Sequence, residues 1–217
     1  MKSVAIIGTG IAGMACAHRL KNAVNLTLYE SCPEPGGHTH TVNLPEEMGN
    51  LPVDTGFMVY NEITYPLLTQ LFKELEVETT ETDMSFGVQY RPCRLEYGGS
   101  GLNAVFSQRR NCFHPRFLLM LRDILRFNRE AVAALGDPET IGVDLEDFVA
   151  TRGFGKAFLH HYLVPMTSAI WSTPPDEMLR FPAHTLIRFI YNHGLLGVRT
   201  HHQWRTVKGG SRQYRDT

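Results

Sequence analysis

The sequence predicts an α/β fold, with parallel strands joined through a glycine-rich turn at the start of the chain and mainly helical structure later. Three observations predict it. Val4, Ala5, Ile6 and Ile7 form a short apolar run ending in Gly8, Gly10 and Gly13, the G-x-G-x-x-G spacing that follows a strand and opens a helix. A second strand, with Leu26, Leu28 and Tyr29, closes on Glu30. Beyond residue 115 the apolar spacing becomes helical.

The first run reads as a buried parallel strand. Gly8 permits the tight turn, Gly10 lets the backbone approach a pyrophosphate, and Gly13 lets helix and strand pack closely. Ile11 and Ala12 then sit at a helix N-terminus, where unpaired N–H groups face phosphate charge. The helix runs on from Met14 to Lys21, with small Ala15 and Ala17 beside the glycines. Glu30 stands near the offset of about twenty residues expected for a carboxylate that binds a ribose hydroxyl pair. The competing reading is a solvated strand end. An acid at this position would repel a 2′-phosphate.

The chain has 217 residues, enough for one large domain or two small ones. Hydrophobic residues make up 43% and charged residues 20%, a globular rather than a disordered balance. A formal charge of −1 gives no general attraction to nucleic acid, and none is expected as a partner. Cys16, Cys32, Cys93 and Cys112 lack C-x-x-C spacing, which argues against a zinc site or disulfide framework and makes the reducing cytoplasm the natural compartment. No run of about eighteen apolar residues exists, so no membrane-spanning helix is expected. The N-terminus does not read as a signal peptide, because its apolar stretch contains the glycine turn.

Further along, Thr64 reads as a helix N-cap and Pro66 as the first helical position. Leu67, Leu68, Leu71, Phe72 and Leu75 would form the apolar face. Val77 to Thr82 is short and polar. Ser85 to Tyr90 reads as a strand, with Arg94 to Tyr97 as its partner across a turn at Arg91-Pro92-Cys93. Gly98 to Gly101 is a loop. Residues 115–135 form the longest expected helix, with Phe117, Leu118, Leu121, Ile124, Leu125 and Val132 as its core stripe. Arg122, Arg126 and Arg129 fall opposite, with Arg109, Arg110 and Arg116 upstream. Two readings of this basic face stay open: a solvated surface and a contact with anionic lipid.

Gly136-Asp137-Pro138 breaks that helix. Asp144 to Val149 reads as a short helix. Lys156 to Met166 reads as another, facing Phe158, Leu159, Tyr162 and Leu163 inward and ending near Pro165. Thr167 to Pro175 is an aromatic-bearing connection, Asp176 to Leu179 one turn, and Ala183 to Asn192 a helix ended by Gly194. Trp204 to Lys208 starts as a strand and enters a turn at Gly209-Gly210. The pairs His160-His161 and His201-His202 lack the i, i+4 spacing of a helical metal site, and no metal is expected. His18, His184 and His193 read as surface or hydrogen-bonded helix residues. Trp171 and Trp204 read as core or interface aromatics, with a substrate-pocket lining as the alternative for Trp171.

Gly36-Gly37, directly after the acid, is foreign to the nicotinamide fingerprint. The linked run Glu30, Gly36-Gly37-His38-Thr39 and Asp54-Thr55-Gly56 resembles the FAD-binding start of the flavin-containing amine oxidase superfamily. Many members have Arg after the glycine pair; His38 in its place is a weaker donor. The resemblance implies FAD as cofactor. It would be held by Gly8, Gly10, Ile11, Ala12, Gly13, Glu30, Ser31, Gly36, Gly37, His38, Thr39, Thr55, Gly56, Phe57 and Met58. Asp54 to Phe57 would pass close to the flavin ring, and Gly56 suits a site where backbone approaches a flat cofactor.

A narrower match involves Asp54-Thr-Gly-Phe-Met-Val-Tyr-Asn61, Gln108-Arg-Arg-Asn111, Leu121 to Glu130, Ile170-Trp-Ser-Thr-Pro-Pro175, Tyr191-Asn-His-Gly194 and Trp204 to Ser211. These strings resemble a bacterial group of FAD-dependent amine-oxidase-like proteins associated with cyclopropane-fatty-acid-synthase-like enzymes. The resemblance implies residues 1–85 as the first part of a Rossmann-like FAD-binding domain, 86–203 as an inserted substrate domain, partly helical, and 204–217 as the start of the return to the FAD domain. It also implies a chain truncated to the N-terminal half, whose missing part would be its own C-terminal half or a complementing chain.

By the same resemblance the activity is that of an FAD-dependent oxidoreductase. Hydride would pass from a C–H of a hydrophobic substrate, such as a lipid acyl chain, to the flavin. No catalytic residue is assigned, because the family draws such groups partly from its later half. The expected location is cytoplasmic, with peripheral membrane contact only under the second reading of the basic face. Two other readings compete: a non-catalytic or split nucleotide-binding fragment, and an NAD-dependent dehydrogenase using the same first motif.

Overall fold

The computed structural model describes residues 1–197 and 202–217. The fold is mixed α/β, with small sheets and many helices. In chain order the elements are β1 (Ser3–Ile7), α1 (Ile11–Leu20), β2 (Asn25–Tyr29), β3 (Thr41–Asn43), β4 (Pro52–Asp54), α2 (Pro66–Glu74), β5 (Thr79–Thr82), β6 (Gly87–Tyr90), β7 (Leu95–Gly98), α3 (Leu102–Val105) and α4 (Pro115–Ala134). There follow α5 (Leu145–Thr151), α6 (Lys156–Phe158), a π-helical stretch (Leu159–Leu163), α7 (Val164–Trp171), α8 (Pro175–Met178), α9 (Ala183–Asn192), β8 (Trp204–Val207) and α10 (Arg212–Asp216). These elements group into two compact units: Met1–Met84 with Gln203–Thr217, and Ser85–His202.

In the first unit β1 and β2 run parallel, from Ser3↔Asn25 to Ile7↔Tyr29, with α1 as the crossover that parallel strands require. The burial expected of β1 is not found. Ile6 alone is buried and Ile7 is 81% exposed, because the β1–β2 sheet has two strands among the described residues. Pro66 opens α2 as expected, but the N-cap is Tyr65 rather than Thr64. The turn ahead of the helix is built by Asn61, whose Oδ1 accepts the N–H groups of Ile63 at 3.1 Å and Thr64 at 2.8 Å. Leu71 and Phe72 are buried, whereas Leu67 faces outward.

The short polar stretch before residue 83, which carried no strand signal, holds β5. β5 pairs antiparallel with β8, Thr79↔Val207 to Thr82↔Trp204. Tyr60 and Arg205 exchange both backbone hydrogen bonds, at 2.9 and 2.8 Å. The late segment is thereby laced into the early one around a core of Tyr60, Phe72, Val207 and Tyr214.

The second unit pairs β6 with β7 around the Arg91–Cys93 turn and otherwise packs helices. Its longest helix, α4, buries Phe117, Met120, Asp123, Phe127, Ala131 and Ala134. Of the expected stripe only Phe117 is buried; Leu121 and Ile124 are half-buried, and Leu118, Leu125 and Val132 face outward. The physical reason is a buried acid that apolar counting places outside. Asp123 Oδ2 accepts the Gly155 N–H at 3.0 Å, holding its side of the helix against the loop before α6. Arg126 also leaves the expected basic face. Its guanidinium lies 4.0 Å from the Phe154 ring centre and donates to the Arg152 carbonyl at 3.2 Å.

Pro165 does not end its helix. The chain passes from α6 through the π-helical stretch into α7, so Thr167 to Trp171, expected as a connection, is helical. Proline has no N–H to return to the carbonyl four residues earlier, which belongs to His161. Tyr97 Oη donates to that carbonyl at 2.6 Å instead, tying β7 to the helix. Trp171 stacks among Phe181 and Phe189, with ring centres 5.1 and 4.6 Å away. His161 rests on Tyr90 and His193 on Phe189. His201 lies outside the described residues.

Candidate functional site

The site grows from the turn between β1 and α1. Gly8 has φ +91°, and its N–H donates to the Tyr29 carbonyl at 2.7 Å, stitching the turn to β2. Gly13 must lack a side chain, because a Cβ there would lie 2.0 Å from the Gly8 carbonyl oxygen. Gly10 is the opposite case. A Cβ there meets nothing within 4 Å, so the space beside it is open. Gly10 caps α1 without a side-chain hydrogen bond, and the first turn holds no acid. Ile11 and Ala12 are exposed there. The start of a ten-residue helix thus presents N–H groups and a partial positive charge to that open space.

Glu30 is held beside it by a net of donors. Its Oε2 accepts the Thr9 N–H at 2.9 Å and the Thr9 hydroxyl at 2.5 Å. Its Oε1 accepts the N–H groups of Ser31 at 2.8 Å and Cys32 at 3.0 Å. These donors favour the charged form. With the Thr9 hydroxyl contributing most, they hold the carboxyl down to about 2. The Thr9 oxygen also accepts the Gly36 N–H at 3.3 Å, so one buried threonine joins the glycine turn, the acid and the Gly36-Gly37 loop. Gly37, at φ +59°, would bring a Cβ within 3.3 Å of Gly10 Cα; the two glycine segments are neighbours.

The remaining predicted residues form a second loop pair. The His38 carbonyl accepts the Phe57 N–H at 2.7 Å, and the His40 carbonyl accepts the Thr55 N–H at 2.9 Å. A Cβ on Gly56 would sit 2.2 Å from the His38 carbonyl oxygen, so Gly56 is required by this packing within the protein. Thr39 is buried with its hydroxyl on Tyr214 Oη at 2.5 Å. The Asp54 carboxylate takes the Ser211 N–H at 2.8 and 2.9 Å, the Ser211 hydroxyl at 2.8 Å and the Thr41 hydroxyl at 2.6 Å. Met58 and the His38 side chain are exposed. Sequence reasoning missed Thr9, Ser211 and Tyr214. Thr9 is the free position of the glycine motif, and Tyr214 and Ser211 act across 175 and 157 residues of chain.

A strand, a glycine turn with an open helix N-terminus and an ionised acid ending the next strand define a dinucleotide-binding α/β protein. The sequence profile of the flavin containing amine oxidoreductases matches residues 11–213, and the chain belongs to this family. The family is one of flavin-containing oxidoreductases, and membership makes FAD the cofactor. No curated protein sequence matches the chain.

Among solved structures, cyclohexylamine oxidase from Brevibacterium oxydans IH-35A is similar at a TM-score of 0.63 and 22% identity. A putrescine oxidase bound to putrescine follows at 0.62 and 18%, and an oxidoreductase from Methanosarcina mazei at 0.57 and 16%. At these identities the likeness is one of fold. The alignments cover 98 to 100% of this chain and 47% of each neighbour, so the chain spans about half their length. Among the described residues, no helix is long and apolar enough to cross a membrane.

The residues present fit FAD. The space at Gly10 admits a group that must approach backbone closely, and Glu30 is charged and aimed from the strand end that faces a ribose in such folds. Its ionisation also suits a cofactor without a 2′-phosphate.

Proposed function

We propose that this chain is the FAD-binding portion of a flavin-dependent oxidoreductase acting on a C–H bond of a hydrophobic substrate. The observation that carries the proposal is the Thr9–Glu30–Gly36 network beside the open α1 N-terminus. In this reading Glu30 takes the ribose hydroxyls, the α1 N–H groups take the pyrophosphate, and Gly36 to Met58 lines the approach to the ring. The flavin, when bound, supplies the hydride acceptor. The protein binds, orients and excludes water. The substrate class extends from amines, which the similar oxidases act on by name, to a lipid acyl chain. No residue of the chain is assigned a proton-transfer role.

The test is titration of the purified chain with FAD and, separately, with NADH. Retained yellow absorbance and saturable FAD binding are expected, with NADH much weaker. Preferential binding of NADH would replace this reading with that of a nicotinamide dehydrogenase. Absence of FAD binding would overturn it.

A second reading is favoured by exposure. Ile7, Leu28 and Tyr29 of the β1–β2 sheet are all exposed, as they would be in a nucleotide-binding unit completed by other polypeptide. In that case the chain binds FAD but shows no anaerobic bleaching of the flavin by amines or acyl substrates until its complement is added.

A further inference from the structure

The outer face of α4 is apolar and basic at once. Leu118, Arg122, Leu125, Arg129 and Val132 follow each other at spacings of four and three, which places them on one stripe of the helix. All five are exposed, Leu125 to 57%. The opposite stripe carries the buried residues, so this face takes no part in the core. The turn leading into the helix adds Phe113, 89% exposed, and the first turn of α4 adds exposed Arg116. The stripe contains no acid. Its nearest carboxylates are already engaged: buried Asp123 accepts the Gly155 N–H on one oxygen and pairs with Arg122 at 3.3 Å on the other, and Glu130 lies to one side against Arg126, which leaves Arg129 and the outer face of Arg122 to an external anion.

We propose that this stripe docks on the surface of an anionic lipid bilayer. The α4 axis would lie in the plane of the headgroups. Leu118, Leu125 and Val132 would enter the acyl boundary, and Arg122 and Arg129 would meet lipid phosphates, their long stems lying along the apolar surface. Charge decides against a second copy of the chain. A paired α4–α4 seam would bring arginines from both copies into the same dry interface, where the one acid beside them, buried Asp123, is already shared between Gly155 and Arg122 of its own copy. An anionic surface satisfies both kinds of residue together. The proposal is independent of the flavin reading, since it concerns vesicle binding alone.

The experiment is co-sedimentation of the full chain with vesicles of phosphatidylcholine, with and without about a third phosphatidylglycerol, at low and high salt. Binding to the anionic vesicles that salt reverses is expected. Each arginine near such a surface contributes about fivefold to partitioning, so Arg122→Gln with Arg129→Gln should lower it about 25-fold. Arg122→Lys with Arg129→Lys should keep it, because the bilayer reads charge. Leu125→Ser should weaken it without removing the salt dependence. All three sites are exposed, and unchanged circular dichroism would show that the variants fold. Equal binding to neutral vesicles, no binding to either, or wild-type binding by the glutamine pair would overturn the proposal. So would a dimer in solution that Leu125→Ser dissolves.

Discussion

Gly10 and Gly13 lie in the same motif, yet the structure assigns them different physical tasks, and alanine separates the two. At Gly10 the backbone has φ −63° and ψ 176°, which alanine adopts without strain. A Cβ there touches nothing in the protein. Gly10→Ala should therefore cost no more than about 1 kcal/mol of stability, the scale of a changed N-cap. The methyl group does, however, stand where backbone must come close to the pyrophosphate. Loss of two hydrogen bonds to a charged group, at about 1.5–3 kcal/mol each, raises the Kd for FAD by about 10²–10⁴-fold. Gly13→Ala behaves oppositely. Its Cβ would stand 2.0 Å from the Gly8 carbonyl oxygen, more than about 1 Å inside ordinary C···O contact. Helix α1 must then lift off β1, at a cost of about 1–3 kcal/mol or more. The assays are urea unfolding and FAD titration on both variants. A Gly10→Ala protein that binds FAD as tightly as wild type would refute the placement of the cofactor; a Gly13→Ala protein of unchanged stability would refute the packing.

Two further predictions concern single polar contacts. Glu30 is held down to about 2 from an ordinary 4.5, so its contribution to stability is full above about 4.5 and is lost as pH falls from there towards 2. Accordingly the ratio of FAD affinities between wild type and Glu30→Gln should stay constant from neutral pH to about 4.5; a ratio that collapses above that point would mean that Thr9 does not hold the charge. Tyr97→Phe removes the donor that serves the His161 carbonyl. Leaving such an acceptor unpaired costs about 1–3 kcal/mol, to be read from the urea midpoint, and an unshifted midpoint would show that the carbonyl finds another partner.

What was legible in the sequence was local. The β1–α1–β2 turn, Pro66 at the start of α2 and the β6–β7 hairpin each depend on residues within a few positions of one another, where spacing and backbone preference act directly. The face of α4 was misplaced because its position is set by Asp123, a carboxylate whose burial depends on a bare N–H at Gly155. Apolar periodicity cannot weigh such a bond; the glycine-rich Gly153 to Gly155 loop, which needs an acceptor, was the available hint. β5 was missed for a different reason. Thr79 to Thr82 has no apolar alternation, and its partner lies more than a hundred residues further on.

Asp54 shows how the two kinds of information meet. Its Asp-Thr-Gly motif resembles a cofactor contact, and the carboxylate sits in the expected segment. Yet both its oxygens are engaged by Ser211 and Thr41. Gly210 stands at φ +91° with no room for a Cβ, which would be 2.4 Å from Thr41 Cγ2. The Gly209-Gly210-Ser211 turn therefore serves as the anchor that holds β3 and β4 together from the far end of the chain. Gly56 can then pack on the His38 carbonyl, and the two loops that would face the cofactor share one position. The acid of the motif acts on the scaffold, and in the proposed reading it is the backbone beside it that meets the ligand. A motif read from sequence marks the place where these two tasks join, and only the hydrogen-bond partners reveal which residue performs which.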